Sequence, residues 1–507
     1  MSGSVRASRA AGGLSKLVAP RPSCLCASLL VALVSACTYR APIPPPRLPL
    51  VATSATALPE APTEAWPSDP VQLRLVQQVL PNGFRIVLAR GASNGVASVV
   101  FVSWATPHWD ERVPGLVTSW MSRMIMRATS TEEGVVDDLL TRRGFSPNLE
   151  VGASGLIVRD RMPAEEVPAF VGSLHEALRR PAFRARDLAQ RVESMVDRTE
   201  LELSGSAGML DDGAPALLYA SGDPRAVSLS EQLPIMRSMN PAALRARHAD
   251  LLDPSRAAIV VSGDLDLVSL ITQIDETFGT WPAHASVPVL NGPRYRGPDG
   301  PRGRVIVRPS LRAYLRLLER APPFTHEDYP SFLVLEQILG GMFASRLNLA
   351  VREGSGASYG FHARYGASAT EGAIEMETSV DPAYTRSVLA GMIQEIHRVR
   401  GQGVGILPAE LRLAQTRARH SLLAHLDSSG GLAIAIARRV QAGQDPSAFD
   451  RLLEEITELE PDRVEAAAQR WLRPDRAPLL LVVRPEHLEG VLRTAQGSME
   501  VLRARPN

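Results

Sequence analysis

The order of apolar and polar positions gives the chain a repeating rhythm of strands and helices. Phe84-Arg85-Ile86-Val87-Leu88 and Val96 to Val102 are dense in β-branched residues and are separated by a Gly/Ser/Asn cluster, which predicts a strand pair. A helix is expected from about Gly115, and helical periodicity covers roughly Ala164 to Leu178 and Ala185 to Leu203. Ala257-Ala258-Ile259-Val260-Val261-Ser262-Gly263 reads as a buried strand that enters a helix at about Leu267 to Phe278. The second half follows the same order. A strand pattern at Arg304 to Leu318 precedes a helix at Tyr329 to Leu339, and strands follow near Ser358 to Arg364 and Ala373 to Thr378. A long helical region from Pro408 and a last strand at Leu479 to Val483, running into a helix, complete the pattern.

Between the halves, Trp281 to Gly303 carries Pro282, Pro288, Pro293, Pro298 and Pro301 with several glycines, the composition of a surface linker. A chain of 507 residues with 45% hydrophobic content can bury large cores and favours at least two domains over one. The parse is two similar α+β domains, residues 76–282 and 304–500, joined by a linker at 283–303. The likeness of the halves is one of architecture more than of letters.

The N-terminus reads differently. Arg6, Arg9, Lys16 and Arg21 precede an apolar run from Cys24 to Val34, then Ser35 and Ala36, which is a signal-peptide pattern over residues 1–36. The run is about half of the ~20 residues that a membrane-spanning helix needs. Val34-Ser35-Ala36-Cys37 resembles a bacterial lipobox, which implies cleavage before Cys37 and its lipidation. The alternative is an ordinary secretory signal with an incidental cysteine. The non-acidic Thr38 implies sorting to the outer membrane, so the expectation is a periplasm-facing lipoprotein of the bacterial envelope. Residues 37–75, rich in Pro, Ala and Thr and including Pro44-Pro45-Pro46, are expected to be an extended tether.

Charge and cysteine content narrow the function. Lys plus Arg (55) nearly cancels Asp plus Glu (54), leaving +1, so no extended positive field exists to hold nucleic acid or an anionic membrane. Cys24, Cys26 and Cys37 all lie near the N-terminus, which removes thiol chemistry from the rest of the chain. Gly91-Ala92-Ser93-Asn94-Gly95 fits G-x-S-x-G, but it joins two predicted strands where a nucleophile elbow needs a strand-to-helix turn.

Four segments together resemble the pitrilysin/insulinase family of zinc peptidases. They are Leu80-Pro81-Asn82-Gly83-Phe84-Arg85, Val113-Pro114-Gly115-Leu116, Val261 to Asp266 running through Phe278-Gly279-Thr280-Trp281-Pro282, and Ile338-Leu339-Gly340-Gly341 through Ser345-Arg346-Leu347-Asn348. Each is weak alone, and their order and spacing carry the signal across about Val76 to Leu492. The resemblance implies two homologous α+β units, each an antiparallel sheet covered by helices, enclosing a peptide-binding chamber.

Active members carry H-x-x-E-H on the helix after Pro-Gly-Leu, where two histidines four apart grip zinc and the glutamate deprotonates its water. Aligned on Gly115-Leu116, this chain has Thr118 and Ser122 at the histidine positions and Met121 at that of the glutamate. Hydroxyls are poor replacements for imidazole, and a thioether accepts no proton at neutral pH. Leu116, Val117, Trp120, Met121, Met124 and Ile125 fit a helix buried for packing alone. The family's third ligand corresponds to Glu200, with Glu193 two turns earlier; without the histidines Glu200 reads as a relic or a salt-bridging residue. His420 and His425 are five apart, on different helix faces, and no H-E-x-x-H occurs. No metal or cofactor is therefore expected in this chain.

The second half is more telling. Arg352 to Gly360 resembles the family segment in which an arginine and a tyrosine seven apart hold substrate backbone and the developing oxyanion, here Arg352 and Tyr359. In two-chain members, one subunit carries zinc and its partner supplies this pair. The chain lacks the glycine-rich insertion of the processing-peptidase partner after Gly340-Gly341, so no presequence-like substrate is implied. The leading expectation is a non-catalytic subunit that pairs with a zinc-bearing homologue and helps bind its peptide substrate. The alternatives are an active zinc peptidase with a rearranged site, and a structural or peptide-binding envelope lipoprotein without a peptidase partner.

Overall fold

The computed structural model describes residues 75–503, apart from 91–94, 105–122, 132–133, 153–154, 284–292, 297–300, 354–359, 427, 446–448 and 496. Two six-stranded sheets organise it. The first runs β1 (Leu75–Val79), β2 (Arg85–Ala89), β8 (Ala257–Ser262), β3 (Val96–Ser103), β7 (Gly155–Pro163), β6 (Asn148–Gly152). The second runs β14 (Met499–Arg503), β9 (Gly303–Val307), β13 (Leu479–Val483), β10 (Ala313–Ala321), β12 (Gly372–Val380), β11 (Phe361–Ala367). A small hairpin, β4 (Ala128–Thr131) with β5 (Gly134–Asp137), stands apart from both.

The sheets share a topology. In each, five strands in corresponding places pair with the same sense, and the one parallel pair among them, β2 with β8 or β9 with β13, sits at the same place. They differ at the outer strand: β1 is an antiparallel hairpin partner of β2, whereas β14 lies parallel to β9. The sheets are thus mostly antiparallel, with parallel pairs where strands far apart in sequence meet and no hairpin dictates direction. Arg304 to Leu318, expected as one strand pattern, is two strands. Pro309 has no N–H to give a ladder, and β9 and β10 end on opposite sides of β13.

Helices flank both sheets. Those of the first half are α1 (Val167–Arg179), α2 (Ala185–Ser204), α3 (Ser206–Leu218), α4 (Leu229–Arg237), α5 (Pro241–Leu251) and α6 (Leu267–Phe278). Those of the second are α7 (Tyr329–Glu336), α8 (Thr385–Val399), α9 (Pro408–Leu426), α10 (Ser429–Gln441), α11 (Phe449–Thr457), α12 (Pro461–Trp471) and α13 (Leu488–Ala495). Each sheet packs one face on helices of its own half. Phe84, Phe101, Phe170, Leu174, Ile274 and Phe278 belong to the first core; Leu315, Phe332, Ile338, Met376, Leu389 and Val464 belong to the second.

The other faces are covered crosswise. α10, from the second half, lies on the first sheet, where Leu432, Ala433, Ile436 and Val440 meet Val87, Val100, Val102 and Val260. α3, from the first half, lies on the second sheet, where Leu210 and Leu217 meet Ile306, Leu318, Leu480 and Val482. The halves are clasped by this exchange, and the central strands β8 and β13 are buried along their whole length. Burial on both faces explains why these strands read as continuous apolar runs instead of alternating.

Candidate functional site

Two of the segments that carry the family resemblance meet in space, and the meeting explains their residues. Asn82, in the turn after β1, donates from Nδ2 to the carbonyls of Phe278 at 2.7 Å and Trp281 at 3.0 Å, capping the C-terminal end of α6. Such carbonyls have no partner within the helix, so a side-chain amide that reaches them is a cap. Gly83 follows with φ +88, and a Cβ there would lie 2.8 Å from the Ser255 Cα. Behind the turn, Phe84 stacks on Phe278 at 4.7 Å between ring centroids, and Phe101 faces Trp281 at 6.4 Å. Both segments are scaffold.

A second asparagine does similar work in the other half. Asn348 donates to the Phe361 carbonyl at 3.0 Å and accepts from the Phe361 N–H at 2.7 Å, fastening the chain before residue 349 to the start of β11. Next to it, Arg346 grips Glu410 through two bonds, Nε to Oε1 at 2.7 Å and an NH2 bond to Oε2 at 2.6 Å, and reaches the Gly405 carbonyl at 2.6 Å. α7 continues into a π-helical turn at Gln337–Gly341, and another π-helical turn spans Leu349–Glu353. Gly340 lets the first of these lie against β11, since a Cβ would sit 2.6 Å from the Ala363 nitrogen. π-Turns of this kind collect at functional sites.

Arg352 is on the second π-turn, in a segment whose two ends Asn348 ties together. Its side chain and all of Tyr359 lie outside the described residues, as do Thr118, Met121, Ser122 and Cys37. The structure therefore does not bring the sequence-derived site together side chain by side chain.

Glu200 is described, and its surroundings matter. α2 turns Leu188, Val192, Val196 and Thr199 to the core. Glu193 and Glu200, seven residues apart and so nearly in line along the helix, are on an exposed face. The Glu200 carboxylate is held by the Arg237 guanidinium of α4, with the two side chains 52% and 53% exposed. The residues present do not suit zinc. A carboxylate already paired with a guanidinium, two hydroxyls and a thioether make a poor donor set for a cation that prefers imidazole and thiolate. Among the described residues no group of three His, Cys, Asp or Glu side chains could hold a metal ion.

Sequence reasoning missed a cluster of arginines on another face of α2. A cavity of about 410 Å³ is lined by Arg123, Arg127 and Arg191, with Met124, Met126, Leu140 and Leu149 among its apolar walls. The signal was hard to see because Arg123 and Arg127 are far from Arg191 in sequence, and each alone reads as a solvated surface residue.

Comparison with known proteins agrees with this architecture. The family model described as "Peptidase M16 inactive domain" matches residues 238–417. The Bacillus subtilis protein named "Uncharacterized zinc protease YmxG" is 21% identical over 402 residues, covering 79% of this chain and 96% of its own length. A Mycobacterium leprae protein, also named an uncharacterized zinc protease, is 24% identical over 243 residues, 46% of this chain. The match spans about half, 53%, of that mycobacterial relative. Among solved structures, a peptidase M16 inactive domain from Pseudomonas fluorescens superposes with a TM-score of 0.69 at 18% identity, covering 81% of this chain and 98% of its own. A protease from Helicobacter pylori gives 0.71 at 12% identity, covering 81% and 99%.

Paired α+β units with one topology, clasped crosswise, define a peptidase-like scaffold of the pitrilysin type. Residues 238–417 match the peptidase M16 inactive domain, the chain has the fold of M16-like peptidases, and its sequence holds no H-x-x-E-H motif.

Proposed function

We propose that this chain is a non-catalytic M16 subunit that pairs with a zinc-bearing homologue and lends Arg352 and Tyr359 to that homologue's peptide-cleaving site. One observation carries the reading: Glu200 is engaged by Arg237, while hydroxyls and a thioether stand where the histidines and the base belong. The Arg352/Tyr359 segment keeps its support in the clamp between Asn348 and Phe361. A guanidinium and a phenol suit the role because both donate to a carbonyl oxygen and neither changes protonation in doing so. Lipidation at Cys37 would hold the subunit at the outer membrane, where a partner anchored on the same surface meets it at raised effective concentration.

Co-expression with an H-x-x-E-H homologue from the same genome tests this. A fluorogenic peptide is cleaved by the mixture and not by this chain alone. Arg352→Met or Tyr359→Phe lowers kcat of the mixture by about 100-fold, the loss usual for one oxyanion donor, while the complex still forms. Cleavage by the isolated chain would instead establish an active peptidase with a rearranged site.

A second reading, a structural or peptide-binding envelope protein without a peptidase partner, draws support from the crosswise covering of both sheets. Each half already receives from its own chain the helix that seals its second face. No complex and no cleavage in the mixture would favour that reading.

A further inference from the structure

Several arginines among the described residues meet carboxylates near or far along the chain. Arg184 and Arg186 hold Asp187, Arg346 holds Glu410, and Arg316 sits among Glu375, Glu377 and Asp211. At the cavity beside α2 several arginines lie close to one another instead. Among the described residues no carboxylate lies within ion-pair distance of Arg123, Arg127, Arg191 or Arg198. Arg191 and Arg198, seven residues apart, share one helix face with Asp187 and Ser194, whereas Glu193 and Glu200 are roughly 120° or more around the helix. Asp187, one turn before Arg191, is already held by Arg184 at 2.6 Å. Asp138, the other acid in the wall, caps the short helix after it by accepting from the Thr141 N–H at 3.2 Å.

Arg191 bears most of the cost. Its Nε is buried and has no hydrogen-bond partner. Burial, then the like charges of Arg123, Arg198 and Arg127, push its pKa down. An unsatisfied, partly desolvated guanidinium ringed by cations costs free energy unless an anion arrives. The fold maintains this cluster in a chain whose net charge is only +1. Retained local strain of this kind belongs to binding sites more than to scaffolds.

We infer that the cavity binds the carboxylate of a short apolar peptide, with Arg191, Arg123 and Arg127 taking the carboxylate and Met124, Met126, Leu140 and Leu149 taking the apolar side chains. Guanidinium groups recognise a carboxylate through paired, charge-assisted bonds, and a volume of about 410 Å³ is of the size that holds small ligands. Mixed methionine and leucine walls favour a peptide over a nucleic acid, whose phosphates would leave those walls uncovered. The site is on a different face of α2 from Glu200, so the inference stands apart from the proposed pairing and does not need it.

The full chain serves as the test material. An apolar tetrapeptide with a free C-terminus, the same peptide amidated, and an amidated version carrying one glutamate are titrated by calorimetry. The free acid or the glutamate peptide binds about tenfold or more tightly than the amide, equivalent to about 1.4 kcal/mol; whichever of the two wins identifies the source of the carboxylate. Arg191→Met abolishes the preference. Because it also removes an unpaired charge, it leaves the melting temperature of the ligand-free protein unchanged or raises it, a result that a merely structural arginine would not give. Equal affinity for acid and amide, a preference that survives Arg191→Met, or a lower melting temperature in that variant would each overturn the site. So would a single-stranded oligonucleotide that displaces the acid peptide at lower concentration.

Discussion

The two crosswise contacts have the same geometry and different chemistry. Under α10 the first sheet offers β3, Val-Ala-Ser-Val-Val-Phe-Val-Ser, with almost every residue buried. Under α3 the second sheet offers the counterpart β10, Ala-Tyr-Leu-Arg-Leu-Leu-Glu-Arg-Ala, and β12, whose residues alternate between buried and partly exposed. The first contact is an apolar wall with a polar edge, where Gln441 Nε2 donates to the Ser103 carbonyl at 3.1 Å and Arg438 pairs with Glu150 of β6 at the exposed rim. The second is a smaller apolar patch flanked by ion pairs. Arg316 bridges Asp211 of α3 and the Glu375 and Glu377 side chains of β12, and Arg304 of β9 lies 4.0 Å from Asp212 of α3. A duplicated topology can therefore diverge in how its halves adhere: one mainly through area removed from water, with a single exposed ion pair at its rim, the other through a smaller apolar patch and more charge, which solvent screens.

Side-chain truncation separates them most strongly. Ile436, fully buried on α10, and Leu210, 2% exposed on α3, are matched positions. Ile436→Ala should lower unfolding free energy by about 3–4 kcal/mol and Leu210→Ala by about 2–3 kcal/mol, the difference reflecting how far the smaller patch can collapse. Urea denaturation midpoints with unchanged slope read both. A Leu210 loss equal to or larger than that of Ile436 would erase the claimed asymmetry.

Acidity should probe the two cores from opposite sides. In the first core His175 is wedged against Phe278, 5.0 Å between centroids, with Nε2 buried and without a partner. Burial, aided by Arg179 and Arg180, lowers its pKa to about 4. The unfolded chain then takes up a proton near pH 6.5 that the folded chain refuses, so stability falls as pH drops from about 6.5 to 4, by on the order of 3 kcal/mol. In the second core Glu319 accepts from the Arg473 N–H at 2.7 Å, and burial raises its pKa to about 8. There the folded chain keeps a proton that the unfolded chain releases, so stability falls as pH rises from about 4.5 to 8. His175→Phe should flatten the acid limb of a melting-temperature profile and Glu319→Gln the upper limb. If either substitution leaves its limb unchanged, the assigned residue is not the titrating one.

Much of the fold was legible because burial on both faces writes itself as unbroken apolar runs: Ala257 to Ser262 and Leu479 to Val483 are strands with the bounds that the runs suggest. The stretch from 128 to 163 was not. β7 begins apolar and ends Arg159-Asp160-Arg161-Met162-Pro163, so neither alternation nor a clean run marks it. Nor could periodicity assign α3 and α10 to the opposite sheets, because an amphipathic stripe tells which face is buried and not what buries it. The site was half legible. Replacement of the zinc motif is visible in letters alone, but the use of Asn82 and Asn348 as clamps depends on carbonyls supplied from elsewhere in the chain, Phe278 and Phe361.

The finest test of the comparison is a single charge. Asp211→Asn removes the link from α3 to Arg316 while leaving that arginine its two sheet carboxylates, Glu375 at 2.6 Å and Glu377 at 3.0 Å. Because the Asp211 side chain is 37% exposed, the loss should be small, about 0.5–1 kcal/mol, and screening should shrink it further. Measured at roughly 0.05 M and 1 M NaCl, ionic strengths that bracket weak and strong screening, the variant and the parent should differ at low salt and converge at high salt. The Ile436→Ala deficit should hold across the same range, since no charge is involved. An Asp211→Asn deficit that persisted unchanged at high salt would mean that α3 is held by packing after all, and the two contacts would be alike.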